Sequence, residues 1–300
     1  MTSNRCNTGL ALITSVVLVF SLALAGRVHA TVFGLKSLAP GIGPSAAPTH
    51  LFSFAEDGSN FTDIGSVQLG SSGIDADALA ISPVRGLLGF ELTGTGSRLI
   101  GIDSITAIAT VIGPILTGRD IRGAVFDLTD RLRVLDASSD ELLEINPMTG
   151  QVVGTPVGLT LGGPSFDLSN GSDIAVRENG NFYLSSLDSF YTLDLLTGAL
   201  TLAHSDSGQF FPGVTFSTPG GEDDLFAYEA NFTDDLLRFD VDASFNKTPL
   251  YTNIIPSFNA GRGDLAAAMT IIPEPGALML FSIGILGLLG YGWLRRKWAV

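Results

Sequence analysis

The sequence contains few of the residues that usually carry catalysis, metal binding or covalent cross-links. Its 300 residues include one cysteine, three histidines and two tryptophans. The cysteine, Cys6, lies within the first 30 residues, so the rest of the chain can form no internal disulfide, cysteine-based zinc site or Cys-His catalytic pair. Only His50 and His204 lie beyond that segment, and their spacing matches no histidine metal-binding motif.

Positive charge is also scarce. The chain has 16 Lys+Arg against 30 Asp+Glu, a formal net charge of −14. Phosphate binding needs clustered Lys and Arg, so this balance excludes nucleic acid as a partner. A hydrophobic share of 45% with 15% charged residues is too apolar for a disordered chain. The mean hydropathy of +0.37 is high for a soluble protein, and much of the apolar excess lies at the two ends.

Residues 1–30 have the features of a secretory signal peptide. Arg5 lies in a short polar start, residues 10–25 form an uncharged apolar run, and residues 28–30 place small side chains where signal peptidase reads them. We predict export through the Sec translocon and cleavage by signal peptidase after Ala30. The alternative is a retained N-terminal anchor, because the apolar run approaches the shortest length that spans a membrane.

The C-terminal end combines a Pro-Glu-Pro tripeptide, an uncharged apolar run and a terminal basic cluster. A helix over the apolar run would measure about 27 Å, close to the ~30 Å hydrocarbon thickness of a bilayer. We therefore predict a transmembrane helix, with the basic cluster held in the cytoplasm. These elements are Pro273, Glu274 and Pro275, then residues 277–294, then Arg295, Arg296 and Lys297.

This order of elements resembles the PEP-CTERM sorting signal of Gram-negative bacteria. The resemblance covers residues 273–300 and implies recognition and processing by an exosortase, a membrane transpeptidase-like enzyme. It also implies transient anchoring in the inner membrane, followed by residence in the cell envelope, the extracellular space or the polysaccharide matrix. The alternative is a plain C-terminal anchor behind a proline-rich stalk, as in a membrane-bound sensor.

Residues 31–272 form a separate exported body with the pattern of an all-β domain. Short apolar runs alternate with Gly, Asp, Asn, Ser and Pro. Five similar segments of strand, turn and strand begin 43 to 48 residues apart, at Leu51, Leu99, Leu142, Phe190 and Leu236. Two of them carry the turn Asp/Asn-x-x-Thr-Gly, in which the first side chain caps the turn and Gly adopts a positive φ.

A second strand–turn–strand element precedes three of these hairpins, starting at Asp77, Ala124 and Ser172. Four strands in fewer than 50 residues make one propeller blade, and the pattern is similar to that of many bacterial β-propeller repeats. We predict an all-β fold, a β-propeller with five blades. Four or six blades and an open β-sandwich with long loops are the alternatives.

The two ends of the body complement each other. Residues 264–270 match the first strand of a repeat, but no strands follow them before the tail. Residues 31–38 could supply the missing strand. We therefore predict that N- and C-terminal strands pair and close the ring, which would remove both exposed sheet edges.

The body carries no recognisable catalytic motif. It contains neither a Gly-x-Ser-x-Gly nucleophile elbow nor a phosphate-binding Gly-x-x-x-x-Gly-Lys loop. His50 and His204 are expected in loops with satisfied hydrogen bonds. Phe210 and Phe211 could stack on a sugar ring, although core packing is the favoured interpretation. We predict no catalytic residues and no cofactor.

Acidic clusters occur at residues 75–77, 222–224, 234–235 and 240–244, and we interpret them as solvated turns. The last begins as a calcium loop does, with Asp-x-Asp-x-Ser, but lacks the central Gly and closing Glu of an EF-hand. A weak calcium site therefore stays open as an expectation, with no ligand set assigned.

These observations favour an exported, non-enzymatic structural or adhesive protein of the cell surface or exopolysaccharide, with polysaccharide as a possible partner. The alternative is a secreted hydrolase or lyase that uses paired carboxylates on a polysaccharide. Carboxylate separation in space decides that question and is invisible in the sequence.

Overall fold

The computed structural model describes only part of the chain, and all regular structure in that part is β. No helix in the described residues is long and apolar enough to cross a membrane. The predicted signal peptide and the predicted transmembrane helix at 277–294 both lie outside the described residues. The described ranges are 31–36, 48–169, 171–217, 224–230, 235–252 and 263–267.

Twenty-four strands follow one another in chain order. The first twelve are β1 (Thr31–Lys36), β2 (His50–Ala55), β3 (Thr62–Ser66), β4 (Gln68–Leu69), β5 (Ser72–Gly73), β6 (Ala76–Ser82), β7 (Gly86–Thr93), β8 (Gly96–Ile102), β9 (Ile108–Val111), β10 (Leu116–Thr117), β11 (Ile121–Phe126) and β12 (Leu132–Asp136). The others are β13 (Glu141–Ile145), β14 (Val152–Gly158), β15 (Thr160–Leu161), β16 (Ser172–Val176), β17 (Phe182–Ser186), β18 (Ser189–Leu193), β19 (Ala199–Ser205), β20 (Gly213–Ser217), β21 (Asp224–Glu229), β22 (Asp235–Asp240), β23 (Asn246–Tyr251) and β24 (Gly263–Ala267).

These strands form five sheets, each built on four antiparallel strands. From the inner to the outer edge the four are β24-β1-β2-β3 in sheet 1, β6-β7-β8-β9 in sheet 2 and β11-β12-β13-β14 in sheet 3. Sheet 4 is β16-β17-β18-β19 and sheet 5 is β20-β21-β22-β23. Short strands extend sheet 2 (β4, β5 and β10) and sheet 4 (β15). We refer to the four as the first to fourth strand of each sheet.

The first strands of the five sheets form a ring. β6 contacts β11, β11 contacts β16, β16 contacts β20, β20 contacts β24, and β24 contacts β6. The fold is therefore all-β with a propeller arrangement, and the alternative of an open sandwich is wrong for the described residues. The predicted hairpins at Leu51, Leu99, Leu142, Phe190 and Leu236 are the third and fourth strands of successive sheets.

Sheet 1 joins the two ends of the body, as predicted. β1 pairs antiparallel with β24, with Val32 opposite Ala267 and Lys36 opposite Gly263. β1 also pairs with β2 on its other side. The ring is thus closed by hydrogen bonds between strands far apart in sequence, and we call this junction the closure pair.

The core lies between neighbouring sheets. Each of five apolar clusters draws residues from two sheets; Leu35 of sheet 1 and Leu79 of sheet 2 share one of them. Phe90 of sheet 2 and Val134 of sheet 3 share the next, and Phe190 and Phe239 join sheets 4 and 5. Strands buried on both faces explain the apolar runs that interrupt simple alternation in the sequence.

The predicted Thr-Gly turns are confirmed. The side-chain oxygen Oδ1 of Asn146 accepts a hydrogen bond from the amide of Met148 at 2.9 Å, and Gly150 has a φ of 67°. The equivalent Gly198 has a φ of 69°. Only glycine adopts this left-handed backbone without strain, so the repeated motif fixes a hairpin at the same place in two sheets.

Each sheet has two ends that differ in their connections. Turns between first and second strands and between third and fourth strands lie at one end, which we call the terminal face. Thr31 begins β1 and Ala267 ends β24 at this same end, because Thr31 pairs with Ala55 at the end of β2 and Ala267 pairs with Val32. The first residues of the inner strands lie at the opposite end.

Candidate functional site

Four charged side chains converge where the inner strands begin. Asp77, Arg122, Asp173 and Asp264 lie on the first strands of sheets 2, 3, 4 and 1, and we call them the axial cluster. Asp173 and Asp264 are completely buried, and Arg122 and Asp77 are almost so. Burying charge is costly unless it is paired, so this group must be held by specific partners.

Each fully buried aspartate links its own strand to the next sheet. Asp173 Oδ2 accepts a hydrogen bond from the amide of Val214 on β20 at 2.6 Å, while Oδ1 accepts one from its own neighbour Ile174 at 2.6 Å. The Asp264 carboxylate likewise accepts hydrogen bonds from the amide of Leu79 on β6 and from that of its own neighbour Leu265. These two carboxyl groups therefore replace backbone pairing where the sheets meet at the axis.

The carboxyl groups of Asp173 and Asp264 lie close enough for each to affect the pKa of the other. Burial raises the pKa of Asp173 to about 7. Burial, followed by the charge of Asp173, raises the pKa of Asp264 well above its ordinary value. Two carboxyl groups this close cannot both ionise cheaply, so the pair holds a shared proton at neutral pH.

Glycine on the intervening strands permits this approach. A Cβ atom on Gly213 would lie 2.8 Å from Cα of Asp264, and one on Gly123 would lie 2.6 Å from Cα of Asp173. Such contacts with backbone cannot be relieved by rotating a side chain. Sheet 5 thus places a glycine where other sheets place a charged residue, which leaves room for the carboxyl pair.

Arg122 occupies the remaining part of the axis. Its Nη1 lies 3.1 Å from Asp77 Oδ2, and its Nη2 lies 2.7 Å from Asp120 Oδ2. Burial alone would lower the pKa of Arg122, but the two carboxylates outweigh it and raise that pKa. Its Nε finds no acceptor among the described residues. The arrangement is an ion-pair network in which Arg122 and Asp77 are buried and Asp120 is partly exposed.

A second charged network lies on sheet 3 near the same end. Arg119 Nη1 lies 2.6 Å from both Asp136 and Glu141, and Ser139 Oγ lies within hydrogen-bonding distance of the same two carboxylates, at 2.8 and 2.7 Å. Burial alone would raise the pKa of Asp136, but hydrogen bonds from Arg119, Ser138 and the Asp120 amide hold it below its ordinary value. This network fixes the turn between β12 and β13.

His50 lies in a chain of three hydrogen-bonded groups. Ser66 Oγ lies 2.9 Å from His50 Nε2, and His50 Nδ1 lies 3.1 Å from Asp63 Oδ1. The order Ser-His-Asp is that of a hydrolase triad. However, the amide of Val67, which follows the serine, donates to the carbonyl oxygen of Thr49 and is not free to stabilise an oxyanion. His50 begins strand β2 instead of lying in a loop, although its hydrogen bonds are satisfied as predicted.

His204 lies in strand β19, not in the expected loop, and is part of an aromatic stack between sheets 4 and 5. Its ring lies parallel to Phe245 at 4.8 Å and to Phe190 at 6.1 Å between centroids. Phe211 is fully buried in the same cluster, and Phe210 is partly buried against another. The core interpretation of Phe210 and Phe211 is therefore confirmed.

The acidic cluster at 240–244 forms the turn between β22 and β23. Asp240 Oδ1 accepts a hydrogen bond from the amide of Ala243 at 2.9 Å, and Asp242 forms an ion pair with Arg177 at 2.5 Å. Within the described part of the chain, no three acidic, histidine or cysteine side chains come together as a metal site. The carboxylates of this turn therefore form a hydrogen bond and an ion pair.

The interpretation of residues 75–77 as a solvated turn was wrong. Asp75 and Asp77 are buried, and Asp77 pairs with Arg122. Sequence reasoning assigned no role to Arg122, Asp173 or Asp264. The sequence does contain a signal for the two aspartates, because Asp-Ile-Ala at 173–175 and Asp-Leu-Ala at 264–266 are similar motifs on equivalent strands.

The predicted sorting residues and cleavage site lie outside the described residues. They are Ala30, Pro273, Glu274, Pro275, Arg295, Arg296 and Lys297.

Residues 272–297 match the family model of the PEP-CTERM protein-sorting motif. The chain therefore carries the sorting motif that its sequence resembled, and the motif implies export and membrane-associated sorting, with an exosortase as the processing partner. No match was found among curated proteins.

Solved structures with propeller-like architecture are similar to the body at low identity. A protein of unknown function from Bacteroides caccae is 10% identical, with 73% of each chain covered and a TM-score of 0.42. One from Bacteroides thetaiotaomicron is 13% identical with a TM-score of 0.44, and the match covers 73% of this chain and 64% of that one. Virginiamycin B lyase from Staphylococcus aureus, crystallised as an inactive variant with quinupristin, is 12% identical over 72% and 69%, with a TM-score of 0.38.

Proposed function

We propose that this protein is exported, anchored briefly in the inner membrane by its C-terminal segment, and then released by an exosortase to the cell surface or exopolysaccharide. The observation that carries this proposal is the PEP-CTERM motif at residues 272–297. Pro273, Glu274 and Pro275 are the recognition site, and Arg295 to Lys297 hold the end of the chain in the cytoplasm. Removal of residues 1–30 by signal peptidase precedes this step.

We further propose that the five sheets are the five blades of a closed, non-catalytic propeller that acts as a structural or binding module. The axial cluster supports this function. In propeller enzymes a reactive group must face solvent, whereas Asp173 and Asp264 are fully buried and are engaged by backbone amides. Binding would then involve the exposed connecting loops, with polysaccharide as the expected ligand class.

Intact-mass analysis tests the sorting proposal. Protein recovered from the surface should begin at Thr31 and should lack the residues that follow the Pro273 region. A Glu274→Gln variant should remain in the membrane fraction at its unprocessed mass, while a Glu222→Gln variant, upstream of the motif, should be processed normally. Surface-released protein that retains residues 277–300 would contradict processing by an exosortase.

The second candidate is a secreted hydrolase, favoured by the Ser66-His50-Asp63 hydrogen-bond chain. Incubation with a fluorophosphonate probe distinguishes the two functions. The non-catalytic proposal expects no labelling of Ser66 and no turnover of polysaccharide. Labelling that disappears in both Ser66→Ala and His50→Ala variants, but not in Ser59→Ala, would establish a reactive serine and overturn that proposal.

A further inference from the structure

The most exposed bulky apolar side chains share one location. Among the described residues these are Leu196, Ile105, Val84 and Met148, with 90%, 83%, 81% and 69% of their surface exposed. Val84 lies in the turn between β6 and β7. The other three lie in turns between the third and fourth strands of sheets 4, 2 and 3. All four are therefore at the terminal face, on three consecutive sheets.

The turns hold these side chains outward. Asp103 Oδ1 accepts a hydrogen bond from the amide of Ile105 at 2.9 Å, and Asp194 Oδ1 accepts one from Leu196 at 2.8 Å. Met148 occupies the same position of the equivalent turn. The side chain two residues after the capping residue contributes nothing to the core, yet it is large and apolar in all three turns. Packing within the body therefore gives no reason for these residues.

Contacts between the turns of neighbouring sheets hold sheets 2, 3 and 4 together at the terminal face. Asp130, in the turn between β11 and β12, accepts a hydrogen bond from Ser82 at 2.7 Å and pairs with Arg85 at 3.0 Å. Leu128, half exposed in that same turn, lies 3.6 Å from the position of a Cβ atom on Gly180 in sheet 4. The turns of sheets 2, 3 and 4 thus contact one another at the terminal face, and we call the exposed apolar side chains on this face, Val84, Ile105, Leu128, Met148 and Leu196, the apolar patch.

The chain enters and leaves the body at this same face. Thr31 and Ala267 lie at the terminal face, where Val32 pairs with Ala267. Nine residues separate Ala267 from the apolar segment 277–294, and nine extended residues span at most about 30 Å. Five residues separate Thr31 from the apolar segment 10–25. The length of the connection thus limits the distance between the terminal face and a membrane that holds either segment to about 30 Å.

We propose that the apolar patch of the terminal face docks on the phospholipid bilayer while the C-terminal segment anchors the chain. This proposal rests on the proposed membrane-anchored stage of sorting. The side chains of Ile105, Met148 and Leu196 enter the interface between headgroups and acyl chains, where apolar side chains are favoured. Complete burial of one leucine side chain corresponds to roughly a tenfold or greater gain in partition.

Charge on this face selects the type of lipid. Hydrogen bonds from the Ile105 and Thr106 amides lower the pKa of Asp103, and a hydrogen bond from the Leu196 amide lowers the pKa of Asp194. These carboxylates lie beside the patch and repel anionic headgroups, as does the excess of 30 acidic over 16 basic residues in the chain. The surface that fits is a zwitterionic one, such as phosphatidylcholine or phosphatidylethanolamine.

Lipid quenching of a site-specific fluorophore tests the docking. The full chain with Cys6→Ser has no other cysteine, so Leu196→Cys can be labelled with an environment-sensitive dye and reconstituted in phosphatidylcholine nanodiscs that contain doxyl-labelled lipid. Leu187 provides the matched control. It is 56% exposed and lies in the turn between β17 and β18, at the opposite end of sheet 4.

The expected result is quenching of the dye at residue 196 and no quenching at residue 187. Equal quenching at both positions, or none at either, would overturn the proposal. Energy transfer between dyes on two copies without quenching by lipid would show self-association through the patch and would also overturn it.

Intrinsic fluorescence separates this outcome from failure of anchoring. Both tryptophans of the chain, Trp293 and Trp298, lie in the C-terminal tail. Quenched tryptophan with an unquenched dye at residue 196 means that the tail is anchored and the patch does not dock. Unquenched tryptophan means instead that the anchoring stage of the proposed function fails.

A variant confirms that the patch itself is responsible. Ile105 and Leu196 are nearly fully exposed, so the double substitution I105S/L196S should leave the body folded. A dye at Met148→Cys should lose most of its quenching in this background, and should also be quenched less in nanodiscs rich in phosphatidylglycerol. Unchanged quenching in both tests would contradict docking through an apolar patch on a zwitterionic surface.

Discussion

At the residue scale, the buried pair of Asp173 and Asp264 couples the stability of the body to pH. Burial raises the pKa of both groups, that of Asp173 to about 7. A group with a raised pKa in the folded state contributes full stability below its unfolded value of about 4, and this contribution is lost as the pH rises through the folded value. The pair therefore stabilises the fold most in mildly acidic solution.

Replacing Asp264 should remove much of this dependence. Asn is close in shape to a protonated Asp: its amide oxygen can still accept from Leu79 and its NH₂ group can donate to Asp173, although that group cannot accept from the Leu265 amide. We expect the free energy of unfolding of the natural body to fall by on the order of 2 kcal/mol between pH 5 and pH 8, and the Asp264→Asn variant to fall by less. Denaturant unfolding followed by circular dichroism at several pH values measures this.

The control is Glu178→Gln, at an exposed turn. In this variant the free energy of unfolding should change with pH as it does in the natural protein. If Asp264→Asn leaves the pH dependence of the free energy of unfolding unchanged, the pair does not hold a shared proton.

Gly213 gives a steric prediction at the same place. A Cβ atom there meets the backbone of Asp264 at 2.8 to 2.9 Å, which no rotamer change can relieve. Gly213→Ala should therefore destabilise the body by about 1–3 kcal/mol. Gly94→Ala is the matched control, because its Cβ would have nothing within 4 Å and should leave thermal unfolding nearly unchanged. Equal melting temperatures for the two variants would contradict the close approach of β20 and β24.

At the element scale, the closure pair determines whether the ring holds together. β24 supplies Ala266 to the core shared by sheets 1 and 2 and supplies Asp264 to the axial cluster. It pairs with β1 across more than 200 residues of sequence. Folding must therefore bring both ends of the body together before the last core cluster can form, a slow kind of contact.

A charge buried in this strand should open the ring. Ala266→Asp would place an unpaired carboxylate in a closed core and should cost at least about 3 kcal/mol. Thr31→Asp, at the exposed start of the partner strand β1, should cost little. Limited proteolysis and thermal unfolding measure the difference. A stable, protease-resistant Ala266→Asp body would show that β24 is not needed for closure.

Elements governed by short-range interactions could be predicted from the sequence. Asn146 and Asp194 cap turns through atoms two residues away, and Gly150 and Gly198 complete those turns, so the hairpins were visible in the repeat. The match of residue 264 to residue 173 likewise indicated the closing strand. These are properties of spacing and residue type, which a sequence contains directly.

The axial cluster could not be predicted because its partners are distant in the chain. Asp77 is buried beside Arg122, which reaches it from the next sheet, 45 residues away. Taken alone, Asp75-Ala76-Asp77 is typical of a solvated turn. Similarly, nothing near His50 in sequence shows that Asp63 and Ser66 lie on the opposing strand.

At the scale of the whole molecule, two opposing sets of carboxyl groups determine the pH range of stability. Hydrogen bonds outweigh burial at Asp127 and Asp136 and lower the pKa of both. Such groups stabilise the fold above their unfolded value of about 4, and their contribution is lost as the pH falls through the lower folded value. The pair of Asp173 and Asp264 has the opposite effect, because its contribution to stability is lost as the pH rises.

We therefore expect the melting temperature to pass through a maximum near pH 4 to 5. It should fall below that range as Asp127 and Asp136 are protonated, and above it as Asp173 and Asp264 lose their shared proton. The net charge of −14 adds repulsion on the alkaline side, so added salt should recover part of the loss at pH 8. Calorimetry from pH 2 to 9 measures this profile, and a maximum at or above pH 8 would contradict it.

Because Thr31 lies beside the end of β24, the chain could start at a different sheet without changing the fold. A short linker from Ala267 to Thr31 would make the ring continuous, and the chain could then begin at another turn, for instance at Gly94 between β7 and β8. Such a circular permutant would keep every sheet, core cluster and buried carboxyl group in place. It would carry its new termini at the opposite face, so an anchor segment fused there would connect that face, instead of the terminal face, to a membrane.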